Sequence, residues 1–124
     1  MWFCSVRRGN LGAKVNITAD EGWPFLSSDG NELWFCGQSR LGYVGPAVFR
    51  SLKTEDGSCG EPEELISNFV GEPTLDDAGN IYYTHHFFSQ NGVMLEADIY
   101  VAYRNCRRRT GHATDSYTGF LIAT

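Results

Sequence analysis

The chain alternates short apolar runs with polar turns, and nowhere do its apolar residues recur at the spacing of a helix. Between residues 24 and 69 the apolar runs are rich in aromatic and β-branched residues. Turns such as Ser-Asp-Gly-Asn separate them, and Gly and Asn tolerate the positive φ that a tight hairpin needs. The pattern therefore predicts an all-β fold with four antiparallel strands, at Pro24 to Ser27, Glu32 to Gly37, Ala47 to Leu52 and Glu64 to Phe69.

The segment that carries the first hairpin recurs along the chain. Residues 24–35 (PFLSSDGNELWF) return as residues 73–83 (PTLDDAGNIYY), 49 residues later, with Glu32 as one extra residue in the first copy. Residues 1–8 match residues 33–40 at an offset of 32, and residues 47–51 match residues 98–102 at an offset of 51. A repeated unit of four strands has the length and content of a propeller blade, and a tandem of β-hairpins in an open sheet is the alternative.

The repeated motif PFLSSDGNELWF resembles the repeat of the WD40-like (PD40, TolB-type) β-propellers, which pairs a Pro-x-x-Ser-x-Asp-Gly turn with a following aromatic strand. Residues 98–100 (DIY) resemble the third strand of the same repeat. The resemblance covers roughly residues 1–103 and implies a partial β-propeller of four-stranded antiparallel blades. The chain departs from the family at residues 76–78 (DDA), where Ser-x-Asp is expected, and at Ala47, where the third strand has Asp.

The resemblance divides the chain into parts of a propeller. Residues 1–20 supply the second and third strands of half a blade, residues 21–71 a complete blade, and residues 72–103 a blade without a clear fourth strand. Residues 104–124 form an unmatched basic tail, whose apolar end is a candidate substitute edge strand. A closed propeller needs at least about four blades, so we expect either a homo-oligomer or the missing blades of a longer chain.

Charge and composition narrow the choice of partners. The net charge is −5, and residues 15–103 hold three basic residues against fourteen acidic ones, so that the body repels a phosphate backbone and we expect no nucleic-acid partner. No apolar stretch approaches the roughly 18 residues of a membrane span, and the chain begins without an export signal, which leaves its compartment open. The four cysteines form no C-x-x-C pair, so we expect reduced thiols and no zinc site.

Three residues are candidate ligand contacts. Arg8 and Arg40 occupy matching positions in the loops between second and third strands, and in family propellers such loops lie together on one face. The resemblance implies that the loop that starts at His86 shares that face, where arginines suit carboxylate or phosphate groups. The alternatives are an arginine paired with an acidic neighbour and strand-end histidines that hydrogen-bond locally. His85 and His86 point to opposite faces of a strand, so they cannot both bind one metal ion.

No catalytic residues are predicted. The carboxylate pairs lie in turns, and no nucleophile elbow, phosphate loop or His-Glu-x-x-His motif is present. We therefore expect a non-catalytic propeller repeat module, without a cofactor, that binds a protein, a peptide or a glycan. One alternative is a fragment of a propeller-containing hydrolase or lyase whose catalytic residues lie outside this chain, and another is an inactive product of truncation.

Overall fold

The computed structural model describes residue 5, residues 7–109 and residues 112–118, with side chains as far as Asn105. These residues contain no helix, and hence none that could span a membrane. The prediction of an all-β fold is confirmed. The strands are β1 (Glu21–Leu26), β2 (Glu32–Gln38), β3 (Pro46–Leu52), β4 (Glu63–Ile66), β5 (Val70–Leu75), β6 (Ile81–Phe88), β7 (Met94–Arg109) and β8 (His112–Thr118).

The first sheet has four antiparallel strands in the order β1-β2-β3-β4, so each strand pairs with its neighbour in the chain. The four strands predicted between residues 24 and 69 are present. The last of them ends at Ile66 rather than Phe69, because Asn68 and Phe69 have φ of 74° and 59°. Two left-handed residues in succession break the strand pairing, and they turn the chain into the second sheet.

The second sheet has the order β5-β6-β7-β8 and is also antiparallel. The long strand β7 pairs with β6 along its first half, Met94 to Ala102, and with β8 along its second half, Tyr103 to Arg109. Within the described residues, no strand lies on the far side of the first half. The apolar end of the tail, residues 119–124, lies outside those residues, so the edge strand predicted there stays a prediction.

Residues 7–20 contain no strand, although the sequence places half a blade there, and residues 1–4 and 6 lie outside the described part. A turn bends the segment instead, because the backbone N of Gly12 donates to Asn10 Oδ1 (2.7 Å) and the backbone N of Asn16 donates to the carbonyl of Gly12 (2.9 Å). Val15 is buried in a cluster with Phe35 and other residues on one face of the first sheet. The segment thus covers that face.

The main core lies between the two sheets. Strand β5 packs against β1, β2 and β3, so the second sheet covers the opposite face of the first. Each large apolar side chain buried there contributes about 1.5–3 kcal/mol relative to exposure. The buried members are Trp34, Val48 and Ile66 from the first sheet and Val70, Ile81, Tyr83 and Ala102 from the second.

Both sheets begin with the same backbone bulge. The register shifts between Gly22 and Phe25 in β1 and between Gly71 and Thr74 in β5. The residue before the proline is left-handed in each, with φ of 50° at Trp23 and 57° at Glu72. A proline donates no ladder hydrogen bond, so Gly-x-Pro interrupts the pairing at equivalent places in the two repeats.

A buried carboxylate joins the two sheets. Glu32, the extra residue of the first copy, accepts hydrogen bonds from Arg104 of β7 at 2.6 and 3.1 Å and from Arg50 of β3 at 3.3 Å. Arg50 also contacts Glu63, whose side chain is half exposed, at 3.3 Å. Charge-assisted hydrogen bonds of this kind are stronger than neutral ones, so the network holds the turn of the first sheet against the second.

Candidate functional site

Three connections meet at one end of the molecule. The β2–β3 loop (residues 39–45), the β4–β5 connection (residues 67–69) and the β6–β7 loop (residues 89–93) follow strands that run in the same direction. Consecutive antiparallel strands alternate in direction, so these three connections lie at the end opposite to the hairpin turns. We call this end the loop end.

Glu64 anchors two of these connections. Its carboxylate accepts hydrogen bonds from Ser39 Oγ (2.7 Å) and the backbone N of Arg40 (2.6 Å) in the β2–β3 loop. It also accepts one from Ser67 Oγ (2.6 Å) in the β4–β5 connection. Within the loop, Ser39 Oγ accepts in turn from the backbone N of Tyr43 at 3.2 Å. The loop is therefore held in a defined conformation.

Phe69 links the third loop to the other two. Its ring lies against Gly45, where an added Cβ would come within 2.5 Å of it, and its centroid lies 4.7 Å from that of Phe88. The carbonyl of Phe69 accepts a hydrogen bond from the backbone N of His86 at 2.9 Å. One aromatic side chain thus packs between the β2–β3 loop and the end of β6.

The loop end exposes large apolar side chains. Leu41 and Val44 of the β2–β3 loop, Val93 of the β6–β7 loop and Met94 at the start of β7 are all exposed by more than half. Sequence reasoning missed these residues, although apolar residues inside a glycine-rich loop were a signal that could have found them. Side chains of this kind on rigid loops are typical of surfaces that bind other molecules.

An open cavity of about 580 Å³ lies beside the β6–β7 loop and is lined by Asn68, Phe69, residues 85–90 and Gly92. His85 is buried at its wall, with its ring 4.3 Å from that of Phe87, and its Nδ1 has no hydrogen-bond partner among the residues that the structure describes. Burial lowers the pKa of His85, nearby His86 lowers it further, and Asp98 opposes the shift. The net shift favours the neutral form of the imidazole.

Arg40 is engaged in holding the chain together. Its Nη1 donates to the carbonyl of Lys14 (2.8 Å) and its Nη2 donates to the carbonyl of Val15 (2.7 Å). Nη2 also lies 3.6 Å from Glu21, and the guanidinium stacks 4.9 Å from the centroid of the Phe49 ring. The bonds to the two carbonyls fix residues 7–20 on the sheet, and the contact with Glu21 is of the kind that the sequence left open as an alternative, an arginine paired with an acidic neighbour.

The other two predicted ligand contacts are Arg8 and His86. Arg8 is exposed within the strandless residues 7–20. His86 is half-buried near the end of β6, opposite Ala97 on the neighbouring strand, and lines the cavity. Arg40 and His86 thus both lie at the loop end, Arg40 in the β2–β3 loop and His86 near the end of β6, and their role as ligand contacts stays a prediction.

The turn carboxylates have local structural roles. Asp29 accepts hydrogen bonds from Ser27 Oγ (2.6 Å) and the backbone N of Asn31 (2.9 Å), and the bond from Ser27 lowers the pKa of its carboxyl. In the second repeat, Asp76 accepts from the backbone N of Asn80 at 3.0 Å and from its side chain at 3.0 Å. Both carboxylates close β-hairpin turns, which is the chemistry expected of Asp there.

No group of three or more metal-ligating side chains stands together in the part of the chain that the structure describes. Cys36 and Cys59 are free thiols, while Cys4 lies outside the described residues, as does the side chain of Cys106.

Neither a protein-family model, nor a curated protein, nor a solved structure matches this chain.

Proposed function

We propose that this chain is a non-catalytic binding module, built of propeller-type repeats, that holds an extended protein or peptide segment on its loop end. The observation that carries the proposal is the pairing of exposed apolar side chains with rigidly anchored loops. Leu41 and Val44 project from a loop held by Glu64, and Val93 projects from the corresponding loop of the next sheet.

The propeller-type assignment rests on the repetition of one architecture. Each sheet begins with a Gly-x-Pro bulge, places its strands in chain order, and turns its first hairpin around an Asp-capped turn. The second sheet packs by its first strand against the face of the first sheet. Stacking of successive sheets in this manner favours the WD40-like resemblance over an open sheet of hairpins.

A peptide fits the loop end better than a compact ligand. Packed sheets lie about 10 Å apart, so the corresponding loops of two neighbouring sheets are separated by the span of about three extended residues. Apolar side chains of one extended segment can therefore contact both loops. The cavity beside His85, with Phe87 and Phe88 in its wall, offers room for one aromatic or aliphatic anchor.

A phage-displayed library of random peptides, panned on the purified chain, tests this proposal, with a glycan array as the parallel arm. Selected peptides are then measured by fluorescence anisotropy against the double variant Leu41→Ser/Val44→Ser. The matched control is Leu11→Ser/Leu52→Ser, which removes two exposed leucines near the opposite end. We expect enriched peptides with apolar anchors, at least a tenfold loss of affinity in the loop variant (about 1.4 kcal/mol), and little change in the control.

Three outcomes contradict the proposal. If panning enriches no peptide, the proposal of a peptide ligand is wrong. If the glycan array shows binding instead, the ligand belongs to another class. Equal losses in the loop variant and in the control variant show that binding does not reside at the loop end.

A further inference from the structure

The contact between the two sheets shows how one sheet of this repeat packs on the next, and it predicts how a further sheet would pack. In that interface β5 of the second sheet lies on β1, β2 and β3 of the first. The backbone N of Glu72, at the bulge of β5, donates to Cys36 Sγ at 3.2 Å, and Pro73 of the bulge is buried. A strand with a Gly-x-Pro bulge is therefore the element that one sheet of this repeat presents to its neighbour.

The outer face of the second sheet is equivalent, by the repeat, to the face of the first sheet that β5 covers. No residue that the structure describes covers this outer face. Trp34 and Val48 are both 0% exposed beneath β5. Their repeat equivalents, Tyr82 and Ile99, are 40% and 79% exposed. Tyr82 and Ile99 lie on one face because their cross-strand partners, Val101 and Thr84, alternate with the inward-facing residues.

Strand β1 is the counterpart of β5, and part of its contact surface is unmet. Pro24 is exposed where its equivalent Pro73 is buried, and Leu26 is 59% exposed where its equivalent Leu75 packs against the core. Trp23, at the left-handed position of the bulge, is 65% exposed. Residues 7–20 cover the neighbouring sheet face but leave these three side chains open.

We propose that the outer face of the second sheet binds strand β1 of a second copy of this chain, head to tail. One copy carries the open acceptor face and the open β1 side chains of an interface that it already makes once within itself, so a second copy supplies a fitting partner for each. These two surfaces lie on different sheets, hence the contact is heterologous. Contacts of this type give closed rings or open chains rather than two-fold dimers.

Multi-angle light scattering over a range of protein concentrations tests the proposal on three variants. Ile99→Lys blocks the acceptor face, Leu26→Lys blocks the donor strand, and Val44→Lys places the same charge on an exposed residue of the loop end. All three positions are exposed, so circular dichroism should show unchanged folding. We expect concentration-dependent association of the wild type and of Val44→Lys, and the 13.8 kDa mass of one chain for each of the other two.

Mixing the two blocked variants is the decisive step. Ile99→Lys keeps its donor strand and Leu26→Lys keeps its acceptor face, so an equimolar mixture should form one restored interface and stop at twice the mass of one chain. A mixture that stays monomeric indicates a symmetric contact and overturns the head-to-tail assignment. The proposal is also overturned by a wild type of one-chain mass at every concentration, by either blocked variant that still assembles, or by a Val44→Lys variant that dissociates.

Discussion

Replacing Glu32 with Gln should destabilise the protein far more than the same change at Glu63. Glu32 is buried and its carboxylate bonds to both Arg104 and Arg50, so the substitution removes the negative charge from between two cations. Glu63 contacts Arg50 at 3.3 Å, and its side chain is 53% exposed. Glu63→Gln is thus a matched control, because it makes the same chemical change at an exposed partner of the same arginine.

The expected magnitude follows from the burial. Removing one partner of a buried ion pair costs about 3–5 kcal/mol, and we expect about 3 kcal/mol because Arg50 keeps Glu63. An exposed pair is worth about 0–1 kcal/mol, which sets the cost of Glu63→Gln. With a urea dependence of about 2 kcal/mol per M, the unfolding midpoint of Glu32→Gln should fall by roughly 1.5 M.

Equilibrium unfolding in urea, followed by tryptophan fluorescence, measures both midpoints. All variants are compared at one protein concentration, because self-association would add to the apparent stability. If Glu32→Gln costs no more than Glu63→Gln, the buried carboxylate does not hold the sheets together and the account of the network is wrong.

Two further predictions concern single substitutions at the loop end. The pKa of His85 is lowered in the folded chain, so its stabilising effect is present above its ordinary pKa of about 6.5 and is lost as the pH falls. The free energy of unfolding should therefore drop as the pH falls below about 6.5, and His85→Gln should flatten this dependence when urea unfolding is repeated over a series of pH values. Gly45 and Gly42 have φ of 84° and 90°, so alanine at either adds about 1 kcal/mol of strain. Gly45→Ala should cost about 1–3 kcal/mol more in urea unfolding because its Cβ meets Phe69, and equal costs would contradict the packing described.

The strands could be predicted from the sequence because the information for them is local. The Ser27 to Asn31 turn is specified by Asp29 and Gly30, which act within a few residues, and the aromatic run at Trp34 alternates between two buried faces. Because this segment recurs along the chain, the sequence predicts β5 and β6 in the same way. The loop that the sequence starts at His86 begins three residues later in the structure, because β6 continues to Phe88.

The contacts that fix the site could not be predicted because they join residues far apart in the chain. Arg40 was proposed as a ligand contact, but it bonds to the carbonyls of Lys14 and Val15. That role depends on the path of a segment without a strand pattern. Glu32 and Arg104 are separated by 72 residues, and nothing in either neighbourhood marks them as partners.

At the bulge that begins each sheet, the contact between sheets does not depend on which side chain is present. Trp23 and Glu72 occupy the same position of the repeat with the same left-handed backbone, yet one is an aromatic and the other an acid. At Glu72 the backbone amide, which every residue except proline possesses, makes the contact to Cys36. This position can therefore carry unlike side chains without loss of the backbone contact, so junctions that are structurally the same can look unrelated when only side chains are compared.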